Sequence, residues 1–159
     1  MRIRNATPAD YLPIIATLDA WWGGRPMADM LPKLFFVHFQ DTSFVVEHEG
    51  RIAAFLCGFL SQTFPEQAYI HFVGVDPAHR KDGLGRLLYE QLFDAVRASG
   101  RRVVRCVTAP VNKASIAFHL RMGFEIEPGD AFVDGVSVHS SYDGAGGARV
   151  CFRKDLAAE

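Results

Sequence analysis

Residues 69 to 108 constrain this chain most: YIHFVGV, the charged turn DPAHRKDGLG, then RLLYEQLFDAVRASG and RRVVRCVT. The outer segments are rich in β-branched and aromatic residues, as strands are. Between them Leu84, Leu88, Leu92, Ala95 and Val96 line one helical face, Arg86, Glu90, Asp94 and Arg97 fall largely elsewhere, and Gly100 ends the pattern. The spacing predicts a strand, a crossover helix and a second strand, right-handed if the strands are parallel neighbours. Gly83 and Gly85 let successive N–H groups turn inward at the helix entry, where the helix dipole presents its positive end. Arg80, Lys81 and Arg86 bring mobile positive charge to that turn. A pyrophosphate fits this chemistry.

The flanks support a mixed α/β chain. RIRNA alternates as a short strand, and Thr7-Pro8 reads as an N-cap with proline at the first helical position. Tyr11, Ile14, Ile15, Leu18 and Trp22 carry a first helix until WWGGRP breaks it, and a second helix is expected over 27–39. SFVVEHEGRIAAFLCGFLSQ reads as an antiparallel hairpin turning at Glu49-Gly50. A helix over 112–122 closes at Gly123, two closing strands lie near 124–138 and 148–154, and SSYDGAGG is a flexible loop between them.

With 159 residues, 49% of them hydrophobic, the chain suits one domain over 1–159. A net charge of −1 gives no field for nucleic acid, so a small molecule or a protein is the expected partner. No apolar run reaches the roughly 18 residues a membrane span needs, and MRIRNATPAD lacks the hydrophobic stretch of a signal peptide. A cytoplasmic protein without membrane contact is expected. Cys57, Cys106 and Cys151 are odd in number and far apart, which suits buried thiols with no disulfide and no metal.

Two familiar phosphate motifs fail. No GxxxxGK run exists, and Leu88 stands where a dinucleotide fingerprint needs its third glycine. Arg80-Lys81-Asp82-Gly83-Leu84-Gly85 is instead a basic residue, two variable residues, glycine, one residue and glycine. HFVGVDP precedes it, and NKASIAFHLRMGF follows the next strand. On these segments and on its element order, the sequence resembles the GNAT superfamily of acyl-CoA-dependent N-acyltransferases. The resemblance implies a central mixed, mostly antiparallel sheet splayed between strands 4 and 5 and flanked by about four helices. It implies acetyl-CoA as co-substrate, bound at its pyrophosphate by the amides of Lys81, Asp82, Gly83, Leu84, Gly85 and Arg86. The backbone of Val73 and Val75 would pair with the pantetheine arm, with Gly74 near the family's strand bulge. Asn112 would touch the cofactor arm, a role compatible with a plain N-cap.

N-acylation needs a base for the acceptor ammonium, donors for the oxyanion, and a proton for the departing thiolate. The resemblance assigns the oxyanion to the Val73 N–H or its neighbour. Its usual acid, a tyrosine five positions before the Phe that closes the helix, is replaced by His119. Asn112, Ser115 and His119 share one helical stripe, so His119 either donates a proton or packs on the pantetheine, and Ser115 is the substitute through a water. Strand alternation puts Tyr69, His71, Val73 and Val75 on one face. His71 is the preferred base, against a structural sheet histidine, with Glu47 and Glu49 next. Cys57 and Cys106 lie in apolar strand contexts, which favours direct transfer in a ternary complex over an acyl-thiol intermediate.

For the acceptor, Trp21 and Trp22 stand about 100° apart on a helix, so one is free to face a ligand. Phe35, Phe36 and Phe39 extend the wall or pack the core, and Arg25 suits a carboxylate. With Tyr69 these are the acceptor-side candidates; the acceptor is a primary amine of a small molecule or peptide. A non-catalytic acyl-CoA-binding or sensing module is the alternative. Phe132, Val133 and Phe152 are candidates for a homodimer surface.

Overall fold

The computed structural model describes residues 1–156, and they fall into two units, Met1–Arg101 and a second from Arg102 onward. In the first, strand β1 (Arg2–Asn5) leads through Thr7 and a 3-10 turn at Pro8–Asp10 into helix α1 (Tyr11–Trp21). Pro8 stands at the start of that turn, where its missing N–H costs nothing. The helix buries Ile14, Leu18 and Trp21 along one stripe.

The single helix expected over 27–39 does not form. Pro32 disfavours the helical conformation in the residue before it, and Leu31 is extended at φ −117° and ψ 93°. The segment therefore splits into a 3-10 turn at Ala28–Met30 and a short helix α2 (Leu34–His38). Asp19 Oδ1 ties the preceding loop down by accepting from the Met27 and Ala28 N–H groups, each at 2.8 Å.

Strands β2 (Phe44–His48), β3 (Arg51–Leu60) and β4 (Gln67–Val75) continue an antiparallel sheet in the order β1-β2-β3-β4. Glu49 and Gly50 take φ 51° and 75°, the two left-handed positions of a tight hairpin. Arg101 clamps the β3–β4 connection, its Nη1 donating to the carbonyls of Ser61 at 2.6 Å and Gln67 at 2.9 Å. On one sheet face α1 and α2 pack onto Val45, Phe55, Cys57 and Phe72. Helix α3 (Leu84–Ala98) packs on β2, β3 and β4 through Leu88, Leu92 and Val96. Gly100 at φ 75° ends it, with Arg101 N–H reaching back to the Val96 carbonyl at 3.0 Å.

Strand β4 contains one residue too many for its partner. Cys57 pairs with Phe72 and Gly58 with Ile70, so His71 is a bulge, three residues ahead of the position expected near Gly74. An extra residue inverts the alternation beyond it. Tyr69 and His71 therefore share the α1–α2 face with Phe72 and Gly74, while Val73 and Val75 turn to the other face. The common face expected for Tyr69, His71, Val73 and Val75 is thus broken in two. Contacts agree: His71 stacks on Phe35 at 4.7 Å, and a Cβ on Gly74 would lie 2.5 Å from Phe55.

In the second unit β5 (Val103–Thr108) precedes helix α4 (Lys113–Arg121), and β9 (Val150–Asp155) runs antiparallel to both β5 and β6 (Glu125–Ile126). The closing strand expected over 124–138 is instead three pieces. Pro128-Gly129 stops β6, and Asp134-Gly135, at φ 50° and 78°, turns β7 (Ala131–Val133) back onto β8 (Val136–Val138). SSYDGAGG folds on itself, with Asp143 N–H donating to the Gly147 carbonyl at 3.0 Å and Asp143 paired to Arg149 at 2.9 Å. Phe132 is exposed on the hairpin, but Phe152 is fully buried and cannot serve an interface between subunits.

Candidate active site

As β4 ends, Asp76 N–H donates to the Ala53 carbonyl at 2.8 Å. That bond fixes the hydrogen-bonding phase of the strand. Phe72, Gly74 and Asp76 turn their backbone groups toward β3, whereas Val73 and Val75 turn theirs to the opposite edge. After a 3-10 turn at Pro77–His79, Gly83 adopts φ 74° as the N-cap of α3. The first helical bond is from Leu87 N–H to the Gly83 carbonyl at 3.1 Å. The N–H groups of Leu84, Gly85 and Arg86 thus precede every helical acceptor, and no side chain caps them. Three convergent donors at a dipole's positive end form an anion cradle.

The charges around this cradle differ from the expectation of freely mobile cations. Lys81 is exposed and Arg86 faces Glu90 at 3.6 Å. Arg80 is committed, its Nη2 donating to the Trp21 carbonyl at 2.7 Å, where it caps the end of α1. The carboxylate of Asp82 is held by His79 Nδ1 at 2.9 Å, and the His79 ring meets His48 edge to face at 5.0 Å.

His71 is exposed, with Nε2 2.8 Å from the Met30 carbonyl. A carbonyl only accepts, so Nε2 carries the hydrogen and the neutral ring keeps a lone pair on Nδ1. A base needs that tautomer. The ring lies flat on Phe35, and Phe35, Phe39, Phe59 and Tyr69 follow in succession at centroid separations of 5.4, 5.7 and 5.3 Å. Of the two tryptophans, Trp21 is buried against Phe55 and Trp22 is half-buried at the edge of Phe72. Trp22 is therefore the more open. Arg25 is exposed, with no side-chain partner among the described residues. Glu47 is engaged by Arg4 at 2.6 Å and Glu49 is largely solvated.

In the second unit Asn112 Oδ1 accepts from Ser115 N–H at 3.1 Å, a plain N-cap, while its Nδ2 has no partner among the described residues. The expected stripe forms: Ser115 Oγ is 3.3 Å and the Ser115 carbonyl 2.7 Å from His119 Nδ1. His119 is buried, stacked on Phe152 at 4.6 Å and edge-on to Phe118 and Phe124. Burial pushes its pKa below that of an ordinary imidazole, against the opposing pull of the Ser115 carbonyl. The ring is thus neutral at pH 7 with Nδ1–H already in use, an environment that suits packing better than proton donation. All three cysteines are buried thiols, and burial pushes those of Cys57 and Cys106 up, away from the nucleophilic thiolate.

Sequence reasoning missed Asp19 and Arg101 because each holds the backbone of another segment, and missed the His79–Asp82 pair, three residues apart, because the turn was read for its glycines and cations. The bulge had no signal beyond the histidine itself. Among the described residues no helix is long and apolar enough to cross a membrane.

A model of the acetyltransferase (GNAT) family matches residues 10–124, running through the boundary between the units. The L-2,4-diaminobutyric acid acetyltransferase of Virgibacillus pantothenticus is 35% identical over 77 residues, 48% of this chain and 48% of that protein. The ribosomal protein bS18-alanine N-acetyltransferase of Escherichia coli (strain K12) is 30% identical over 82 residues, 52% of this chain and 53% of that one. The chain spans about half the length of the curated relatives it matches. The fold is shared over a longer range. Diaminobutyrate acetyltransferase EctA from Paenibacillus lautus, solved with L-2,4-diaminobutyric acid and coenzyme A, superposes with a TM-score of 0.72 at 21% identity. That likeness covers 98% of this chain and 94% of the other. With the fold common to both and the family model spanning most of its length, including the RKDGLG turn, the chain belongs to the acetyltransferase (GNAT) family.

Proposed function

We propose that this protein is an N-acetyltransferase, working as a single domain in the cytoplasm, that passes the acetyl group of acetyl-CoA directly to a primary amine in a ternary complex. The observation that carries the reading is the left-handed Gly83 ahead of three uncapped amides, Leu84 to Arg86, a cradle matched to a pyrophosphate. The backbone of Val73 and Val75, directed away from β3, supports an extended pantetheine arm along it. Relatives named for diaminobutyrate and for a ribosomal-protein alanine support an amine as acceptor, small or peptidic.

The acceptor arrives as an ammonium and gives one proton to Nδ1 of His71, whose Nε2–H stays on the Met30 carbonyl. The freed amine attacks the thioester carbonyl, a C–N bond forms, and the oxygen takes the negative charge toward the Val73 N–H. Collapse restores the C=O and breaks the C–S bond. The remaining surplus proton on nitrogen leaves with the CoA thiolate, so the step balances without His119 as an acid. Asn112 and Ser115 are retained as cofactor contacts, on the family resemblance and on the unused Asn112 Nδ2.

One observation favours a second reading, a non-catalytic acyl-CoA sensor: the neutral, buried state of His119 at the position of the family's usual acid. Titration calorimetry with acetyl-CoA followed by thiol release across a panel of amines decides between them. Binding with CoA released only when an acceptor is present supports the enzyme; binding without release favours the sensor. Absence of binding at millimolar acetyl-CoA contradicts both.

A further inference from the structure

Resting on that acetyltransferase reading, we infer that the acceptor is a primary amine borne on an aromatic or similarly flat apolar group, not a free zwitterionic amino acid. His71, Phe35, Phe39, Phe59 and Tyr69 form an arc of rings that leaves β4 at position 71 and returns to it at position 69. Ordinary alternation puts the His71 and Tyr69 rings on one sheet face, and the bulge adds Phe72 beside His71 on that face. Phe35 is buried, but Phe39, Phe59 and Tyr69 are only half-buried and His71 is exposed. Phe39 and Phe59 thus pack on the core with one side while keeping part of their surface open to a ligand.

The arc carries no ionised side chain. Its polar atoms are the Tyr69 hydroxyl and the imidazole nitrogens, of which Nε2 is already spent on Met30. An aryl group set among these rings gains by apolar burial and ring packing. Its ammonium, drawn to the ring faces, comes to rest beside Nδ1, the atom that must take its proton. An amino acid's carboxylate would lose its water in the same place with no cation among these rings to pair with it, a costly transfer.

The test measures CoA release at saturating acetyl-CoA with 2-phenylethylamine, tyramine, L-2,4-diaminobutyric acid and an alanyl peptide. We expect kcat/KM for the aryl amines to exceed that for diaminobutyric acid by roughly tenfold or more, the worth of one buried ring. Phe39→Ala should remove most of that advantage while leaving the Kd for acetyl-CoA unchanged. Phe39→Leu, which keeps apolar volume and guards against misfolding, should retain part of it. Equal or faster release with diaminobutyric acid or the peptide overturns the inference alone, as does an unchanged aryl preference in both Phe39 variants. Release with no amine, from protein that binds acetyl-CoA, overturns the acetyltransferase reading and the inference together.

Discussion

Gly83 and Gly74 are glycines for different reasons, and their substitutions separate binding from stability. A Cβ at Gly83 meets nothing within 4 Å, so the cost of replacing it lies in φ 74° and not in crowding of the cradle. Gly83→Ala should strain the turn by about 1 kcal/mol and weaken acetyl-CoA by a severalfold factor in calorimetry, with the fold intact. At Gly74 the same change drives a methyl into Phe55 at 2.5 Å and toward Trp22 at 3.2 Å. Gly74→Ala should therefore cost roughly 1–3 kcal/mol in denaturant unfolding. The first glycine was legible because its motif has a fixed spacing. The second was not, since nothing in the local sequence says that two distant rings will lie on the backbone there. The thiols offer a third residue-scale test. Buried Cys57 has no thiolate to offer, so Cys57→Ala should keep most of its thiol-release activity, and loss of that activity with the fold intact would revive an acyl-cysteine route.

At the scale of elements, the helices and the first hairpin were readable wherever a terminus carries a chemical mark. Asn112 before α4, Gly100 after α3 and Glu49-Gly50 between β2 and β3 all behave as such marks do. The errors have equally local causes. Pro32 was overridden by an apolar run that looks helical, and Asp134-Gly135, a strong hairpin signal, was passed over inside a stretch read as one strand. The bulge in β4 lies beyond local signals, because it is defined by the partner strand. Asn112 also supports a prediction at this scale. Asn112→Ala should cost about 1 kcal/mol of stability by leaving the Ser115 N–H uncapped. If its amide nitrogen also holds the cofactor arm, the Kd for acetyl-CoA rises with it; a stability loss with unaltered Kd would confine the residue to capping.

Across the whole molecule, acid should act in two separate windows, one from each unit. His119 has its pKa lowered by burial, the Ser115 carbonyl only partly offsetting the effect. The unfolded chain therefore takes up a proton near the ordinary imidazole value of 6.5 while the folded ring still refuses it, and stability falls as pH drops below that value. Asp10 works from the other side. Burial alone would raise its pKa, but the Arg4 guanidinium at 2.8 Å and the Thr7 N–H outweigh that and lower it. Its contribution is complete above the ordinary value of 3.8 and is lost as pH falls from there through the lower folded value. Denaturant midpoints should accordingly decline once as pH falls below the ordinary imidazole value of 6.5, and again as it falls below the ordinary carboxylate value of 3.8. His119→Phe keeps a ring against Phe152 and should flatten the first decline while sparing the second; Asp10→Asn should lower stability near neutrality and flatten only the second. A first decline that survives in His119→Phe would mean that another group titrates there and that the burial of His119 is not what acid acts upon.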